Sequence, residues 1–120
     1  MHLSSYVLPA SGDRQCVAVL ELSGDVDLDE RQRLIDAVDD AAAGQSTLVI
    51  HLDNVRYMDS IGLSVLIRAH KMMRDRGGCF TVVAATPQIR RLVVMTGLDR
   101  LFGLHEDLDR AVRAVSAPAA

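Results

Sequence analysis

Tryptophan is missing from this chain of 120 residues, and tyrosine and phenylalanine occur only twice each. The core must therefore be filled by Val, Leu, Ile, Ala and Met, and one core is what a chain of this length supports. An excess of positive charge is also missing: 13 Lys and Arg face 16 Asp and Glu, a net charge of −3. That balance speaks against a nucleic-acid binder, which carries a basic excess. No uninterrupted apolar run approaches the roughly 18 residues of a membrane span. The start, "MHLSSYVLPASGD", has no basic stretch leading into an apolar one. It is not read as a signal peptide, and a cytoplasmic location is the expectation. Cysteine is scarce: Cys16 and Cys79 are too few for a disulfide framework and too far apart for a CxxC motif. Each lies in an apolar, strand-like segment and reads as a buried thiol. A redox pair is the alternative, because two strands of one sheet can bring sulfurs together.

The motifs of common catalytic chemistry are missing too. Neither GxxxxGK[ST] nor GxGxxG occurs, so no phosphate loop or dinucleotide fingerprint is expected. No serine sits in GxSxG. The four histidines are scattered, without HExxH or a Cys/His cluster. His51 and Asp53, two apart on a strand, share a face and read as a polar edge rather than as metal ligands. The chain is expected to hold no metal or cofactor and to run no catalysis alone.

What is present is an alternation of periods. "YVLP" reads as a short edge strand, with Pro9 at its end. "QCVAVLELSG" reads as a strand stopped by Gly24. "LDERQRLIDAVDDAAAG" then places Leu28, Leu34, Ile35, Val38, Ala41 and Ala42 on one helical face. Asp29 and Gln32 have capping-box spacing, and Gly44 is a natural stop. "TLVIHLD" is apolar enough to predict a strand buried on both faces, with "NVRYM" as the connection after it. From Ser60, apolar residues from Leu63 to Met73 recur at helical intervals. Arg68, Lys71 and Arg74 point away from them and read as a solvated face. "CFTVVAA" is another strand, and Thr86-Pro87 opens a helix that closes at Gly97. "LDRLFGL" leaves room for a brief strand before a last amphipathic helix. The order predicts an α/β domain over residues 1–115, with a frayed tail at 116–120.

"RYMDSIGLSVLIRAH" at 56–70 holds the one residue that stands apart. Ser60 opens an apolar helix and reads either as its N-cap or as a hydroxyl available for chemistry. Asp59 before it is already a good cap. Gly62, without a side chain, is expected to leave the serine approachable.

Three segments carry a family resemblance: "GDVD" at 24–27, "LDNVRYMDSIGLSVLI" at 52–67 and "TGLDRLF" at 96–102. Together they resemble STAS domains, and more specifically the bacterial anti-anti-sigma factors, across nearly the whole chain. The resemblance implies a STAS-like single domain with a small, mixed, mostly parallel sheet flanked by about four helices. It implies that Ser60 is phosphorylated by an anti-sigma factor with serine kinase activity, and that a serine phosphatase resets it. It places Asp25, Asp27, Asp59, Ser60, Ile61, Gly62 and Ser64 at the partner surface, with no nucleic acid or membrane as partner. Ile61 stands where the family commonly has a second Ser or Thr, and Ser64 where it commonly has Gly. A permanent STAS subunit of another assembly, such as a lipid-transport ABC complex, is the alternative reading.

Overall fold

A computed structural model describes residues 1–9 and 15–116. One five-stranded sheet runs in the order β1-β2-β3-β4-β5, with strands His2–Leu8, Val17–Val26, Thr47–Met58, Cys79–Val83 and Gly103–His105. β1 is antiparallel to β2, and every other neighbour is parallel. Helices α1 (Arg31–Ala42), α2 (Ser60–Asp75), α3 (Pro87–Met95) and α4 (Leu108–Ser116) supply the crossovers and the final cover. The expected mixed, mostly parallel α/β sheet with about four helices is therefore the one observed. α4 reaches Ser116, so the tail expected from 116 begins one residue later at the earliest, and 117–120 lie outside the described residues.

The alternation of side chains along β2 and β3 divides the interior in two. Leu20, Leu22, Leu48, Ile50 and Leu52 point to a large core shared with α1, α2 and α3. Val17, Val19 and Val49 point the other way, onto Ala111 and Val112 of α4. Leu48, Val49, Ile50 and Leu52 are fully buried, which is the two-sided burial that "TLVIHLD" predicts. Each such side chain contributes about 1.5–3 kcal/mol by leaving water.

Three strands run further than the sequence suggests: β1 starts at His2, four residues before "YVLP". β2 continues past Gly24 to Val26, and β3 takes in the whole of "NVRYM". Register shifts between Glu21 and Ser23 and between Gly24 and Asp25 let the strands stay paired. Gly24 lies in the left-handed region at φ +86°, where a side chain is disfavoured. A glycine in a strand pattern therefore marks a bulge here, not a stop.

The start of α1 also differs. Asp27, not Asp29, is the cap: its carboxylate accepts the Asp29 amide at 3.1 Å and opens a 3₁₀ turn, Leu28–Glu30. Gln32 reaches Asp36 rather than back toward Asp29. The 3₁₀ turn has three residues per turn, so the α-helical phase cannot be extended back through it. Leu28, expected in the core, is 64% exposed.

Both cysteines are exposed, against the expectation of buried thiols. The redox pair is corrected by the register. β2 and β4 flank β3 on opposite sides, with Cys79 opposite Thr47 and Cys16 just before β2. Two strand spacings separate them, about 9–10 Å, whereas a disulfide needs Cα atoms about 4.4–6.8 Å apart.

Candidate functional site

The parallel pairing of β2 with β3 brings two sequence-distant acidic segments side by side. Asp25 lies opposite Tyr57 and Val26 opposite Met58. The Asp59 amide donates to the Val26 carbonyl at 3.3 Å, tying the start of α2 to the end of β2. Asp27 and Asp59 thus leave neighbouring strand ends, each capping the helix that follows it. The strand end in "GDVD" and the "DS" turn lie side by side at the C-terminal edge of the sheet.

Asp59 is the N-cap of α2. Its Oδ1 accepts the amides of Ile61 at 2.9 Å and Gly62 at 3.3 Å. Ser60 is then the first helical residue, exposed, and its hydroxyl makes no hydrogen bond among the described residues. The two readings of Ser60 separate at this point: the capping role belongs to its neighbour. Ser64, one turn on and also exposed, donates its hydroxyl to the Ile61 carbonyl at 2.6 Å. Ile61 is half-buried.

Gly62 plays a different part from the one expected. It is buried, and a Cβ there would lie 2.5 Å from Met58 Cγ and 3.1 Å from Val26 Cγ1. Its missing side chain faces the core and lets α2 press against the ends of β2 and β3. It does not open a path to Ser60.

The neighbouring ends of β2 and β3 and the turn after β2 mix charge with apolar area. Asp25 forms an exposed ion pair with Arg56 at 3.8 Å. Tyr57 is 54% exposed and Leu28 64%. Neither of those two is marked by the sequence. Tyr57 is hidden by reading "NVRYM" as a connection; the shifted register with β2 breaks the strand alternation there, burying Val55 and Met58 and leaving Arg56 and Tyr57 exposed.

His51 and Asp53 share a face as expected, but on the central strand rather than at an edge, and they pair with each other. His51 Nε2 is 3.1 Å from Asp53 Oδ2, and Asp53 Oδ1 accepts the Ala85 amide at 2.9 Å. That contact anchors the loop into α3. Thr86 donates its hydroxyl to the Asp53 carbonyl instead of capping α3, and Pro87 is at the first helical position as expected. Of the basic residues on α2, Arg68 forms a two-pronged pair with Asp39 of α1, at 2.9 and 3.3 Å. Among the described residues, no three metal-ligating side chains converge and no helix is long and apolar enough to cross a membrane.

A small α/β domain that offers an unengaged serine hydroxyl among carboxylates, at the mouth of a helix, is the class that fold and surface define. The family model described as "Mlab, STAS domain" matches residues 11–109, and the chain belongs to the STAS domain family. It is 34% identical over 104 residues to the anti-sigma-F factor antagonist RsfB of Mycobacterium tuberculosis, a match covering 86% of this chain and 84% of that protein. The crystal structure of an anti-sigma factor antagonist from Mycobacterium paratuberculosis superposes with a TM-score of 0.80 at 33% identity, covering 95% of this chain and 94% of that one. The anti-sigma factor antagonist SpoIIAA in its unphosphorylated form shares the fold, with a TM-score of 0.73 at 15% identity over 98% of this chain and all of its own.

Proposed function

We propose that this protein is an anti-sigma factor antagonist. Its unmodified form binds an anti-sigma factor with serine kinase activity and thereby frees a sigma factor; phosphorylation of Ser60 ends the complex. The observation that carries this reading is the exposed, unengaged Ser60 hydroxyl, with Asp59 doing the capping. The names of the relatives favour it over a permanent subunit of a transport assembly.

In the transfer, the Ser60 oxygen forms a bond to the γ-phosphorus of ATP. The bond from that phosphorus to the β,γ-bridging oxygen breaks, ADP leaves, and the hydroxyl proton passes to a base of the kinase. Asp25, Asp27 and Ile61, with Ser64 on the same helical side as Ser60, form the docking surface in this reading. Leu28 and Tyr57 add its apolar contacts.

The capping geometry sharpens how the switch acts. A phosphoryl group carries about −1.5 to −2 charges at neutral pH. The two amides that would best receive it, those of Ile61 and Gly62, are already held by Asp59. The group therefore gains little from the helix terminus and stands outward beside the Asp59 carboxylate. A partner that packed on a neutral hydroxyl must now desolvate that charge.

The test is phosphotransfer. Incubated with its cognate anti-sigma kinase and ATP, the wild type is expected to take up one phosphoryl group, located at Ser60, and Ser60→Ala none. Label retained by Ser60→Ala, or located elsewhere, would contradict the assignment.

A further inference from the structure

At the other end of α2, away from Ser60, a cavity of about 370 Å³ opens beside the start of β4. It arises from a mismatch in strand length. β5 begins opposite Thr81, so Cys79 and Phe80 have no strand on that side. The C-terminal parts of α2 and α4 close over the gap from either face of the sheet, bringing His70 and Arg74 from one and Val115 from the other.

The chemistry of the walls is specific. The floor is the buried pair Phe80 and Phe102, edge to face at 5.3 Å. These are the only two phenylalanines in the chain, and both are spent here. The His70 ring stands against both, 6.3 and 6.0 Å away. Arg74 and His105 supply the polar rim, with the Cys79 thiol beside them. Among the described residues no carboxylate lines the cavity, although acidic residues outnumber basic ones in the chain. Arg74 has no carboxylate within ion-pair distance among the described residues. Gly103 keeps the space open at the β5 side, where a Cβ would stand 2.6 Å from Thr81 Oγ1 and 3.1 Å from His105 Nε2.

We propose that this cavity binds a small organic anion with a flat apolar body. The apolar part would lie on Phe80 and Phe102, and the anionic group would meet the Arg74 guanidinium, with a histidine N–H as a further donor. A guanidinium with no carboxylate partner among the described residues, lining the same cavity as an aromatic pair, is suited to a planar carboxylate or a comparable anion. The volume lies toward the small end of the range for ligand sites, roughly 300–1,000 Å³. Burial first, and Arg74 second, hold the His70 imidazole below its ordinary range. At neutral pH it is thus an uncharged ring that adds surface and one N–H. The site is independent of the Ser60 reading: Arg74 is fourteen residues from Ser60, about 21 Å along the helix.

The full chain carrying Cys16→Ser, in which Cys79 is the one thiol, provides the test. It is titrated with 2-naphthoate, with the neutral isostere 2-naphthamide, and with inorganic phosphate. The readouts are the rate of Cys79 modification by a thiol reagent and the NMR shifts of the Gly103 amide and the His70 ring. We expect saturable protection of Cys79 by 2-naphthoate, with shifts centred on Gly103 and His70. Binding should weaken roughly tenfold or more for 2-naphthamide and in Arg74→Ala, the loss of one charge-assisted contact. Phosphate alone should have no effect at the same concentrations. Arg74 is exposed and unpaired, so its variant should melt like its parent. Three results would overturn the proposal: no saturable response to 2-naphthoate, equal affinity for acid and amide, or shifts centred elsewhere.

Discussion

The carboxylate of Asp59 accepts the backbone N–H of Ile61 at 2.9 Å, and by doing so relieves Ser60 of any structural duty at the start of α2. The neighbouring residues divide the work. One holds the helix end, and the other presents a hydroxyl to solvent.

This division predicts opposite responses to two single substitutions. Asp59→Ala removes the cap and should cost about 0.5–2 kcal/mol. Ser60→Ala removes no hydrogen bond of the described structure and should stay within about 0.5 kcal/mol of wild type. Urea denaturation of the two variants decides it. A Ser60→Ala loss as large as that of Asp59→Ala would return the cap to the serine.

Gly62 should tolerate no side chain. In an exposed helix Gly→Ala gains about 1 kcal/mol, but here the new methyl would meet Met58 Cγ at 2.5 Å. Overpacking of this kind costs about 1–3 kcal/mol, so a net loss is expected for Gly62→Ala. The cost should shrink in a Met58→Ala background, because the two changes act on the same space. Additive losses in a double-mutant cycle would show that the contact is not the cause.

The two thiols should remain separate. Both Cys16 and Cys79 are exposed, so both are expected to react with a thiol reagent in the folded protein. Intact mass after mild oxidant treatment should show no loss of two hydrogens from the monomer. An intramolecular disulfide formed without unfolding would contradict the register of β2, β3 and β4.

Acid should weaken the fold in part through His70. Its folded value is held below the ordinary 6.5, by burial first and by Arg74 second. The unfolded chain therefore binds the proton at a higher pH than the folded chain does. Stability falls as pH drops through about 6.5, and this contribution to the loss is complete once the pH is below the folded value. His70→Gln should flatten the stability curve on the acid side relative to wild type, measured by urea denaturation at several pH values. Parallel curves for the two proteins would remove His70 as a cause.

Much of the architecture is legible in the sequence because the helices and buried strands carry unambiguous periods. α2 and α3 fall where apolar spacing and Thr86-Pro87 put them, and β3 begins where its apolar run begins. The departures share a cause, which is that local punctuation is overridden by pairing with a distant segment. Gly24 reads as a stop, yet β3 alongside carries the strand through a bulge. "NVRYM" reads as a connection, yet β2 pairs with it. Leu28 reads as core through an α-helical phase that a 3₁₀ turn interrupts. The cysteines look buried by the company they keep, but Cys16 lies just before β2 and Cys79 is the first residue of β4, and both are exposed. Ser60 is singled out by the sequence, but which residue caps α2 depends on backbone geometry: Asp59 and Ser60 are both good caps by type. The cavity at Arg74 is not legible at all, because it comes from the short length of β5 and from helices that meet across the sheet.

The most direct test of the account is the affinity of the cognate anti-sigma kinase for two forms of this protein, unmodified and stoichiometrically phosphorylated at Ser60. The unmodified form should bind, and the phosphorylated form should bind more than a hundredfold less tightly, the equivalent of about 3 kcal/mol. Equal affinity for the two forms would contradict it.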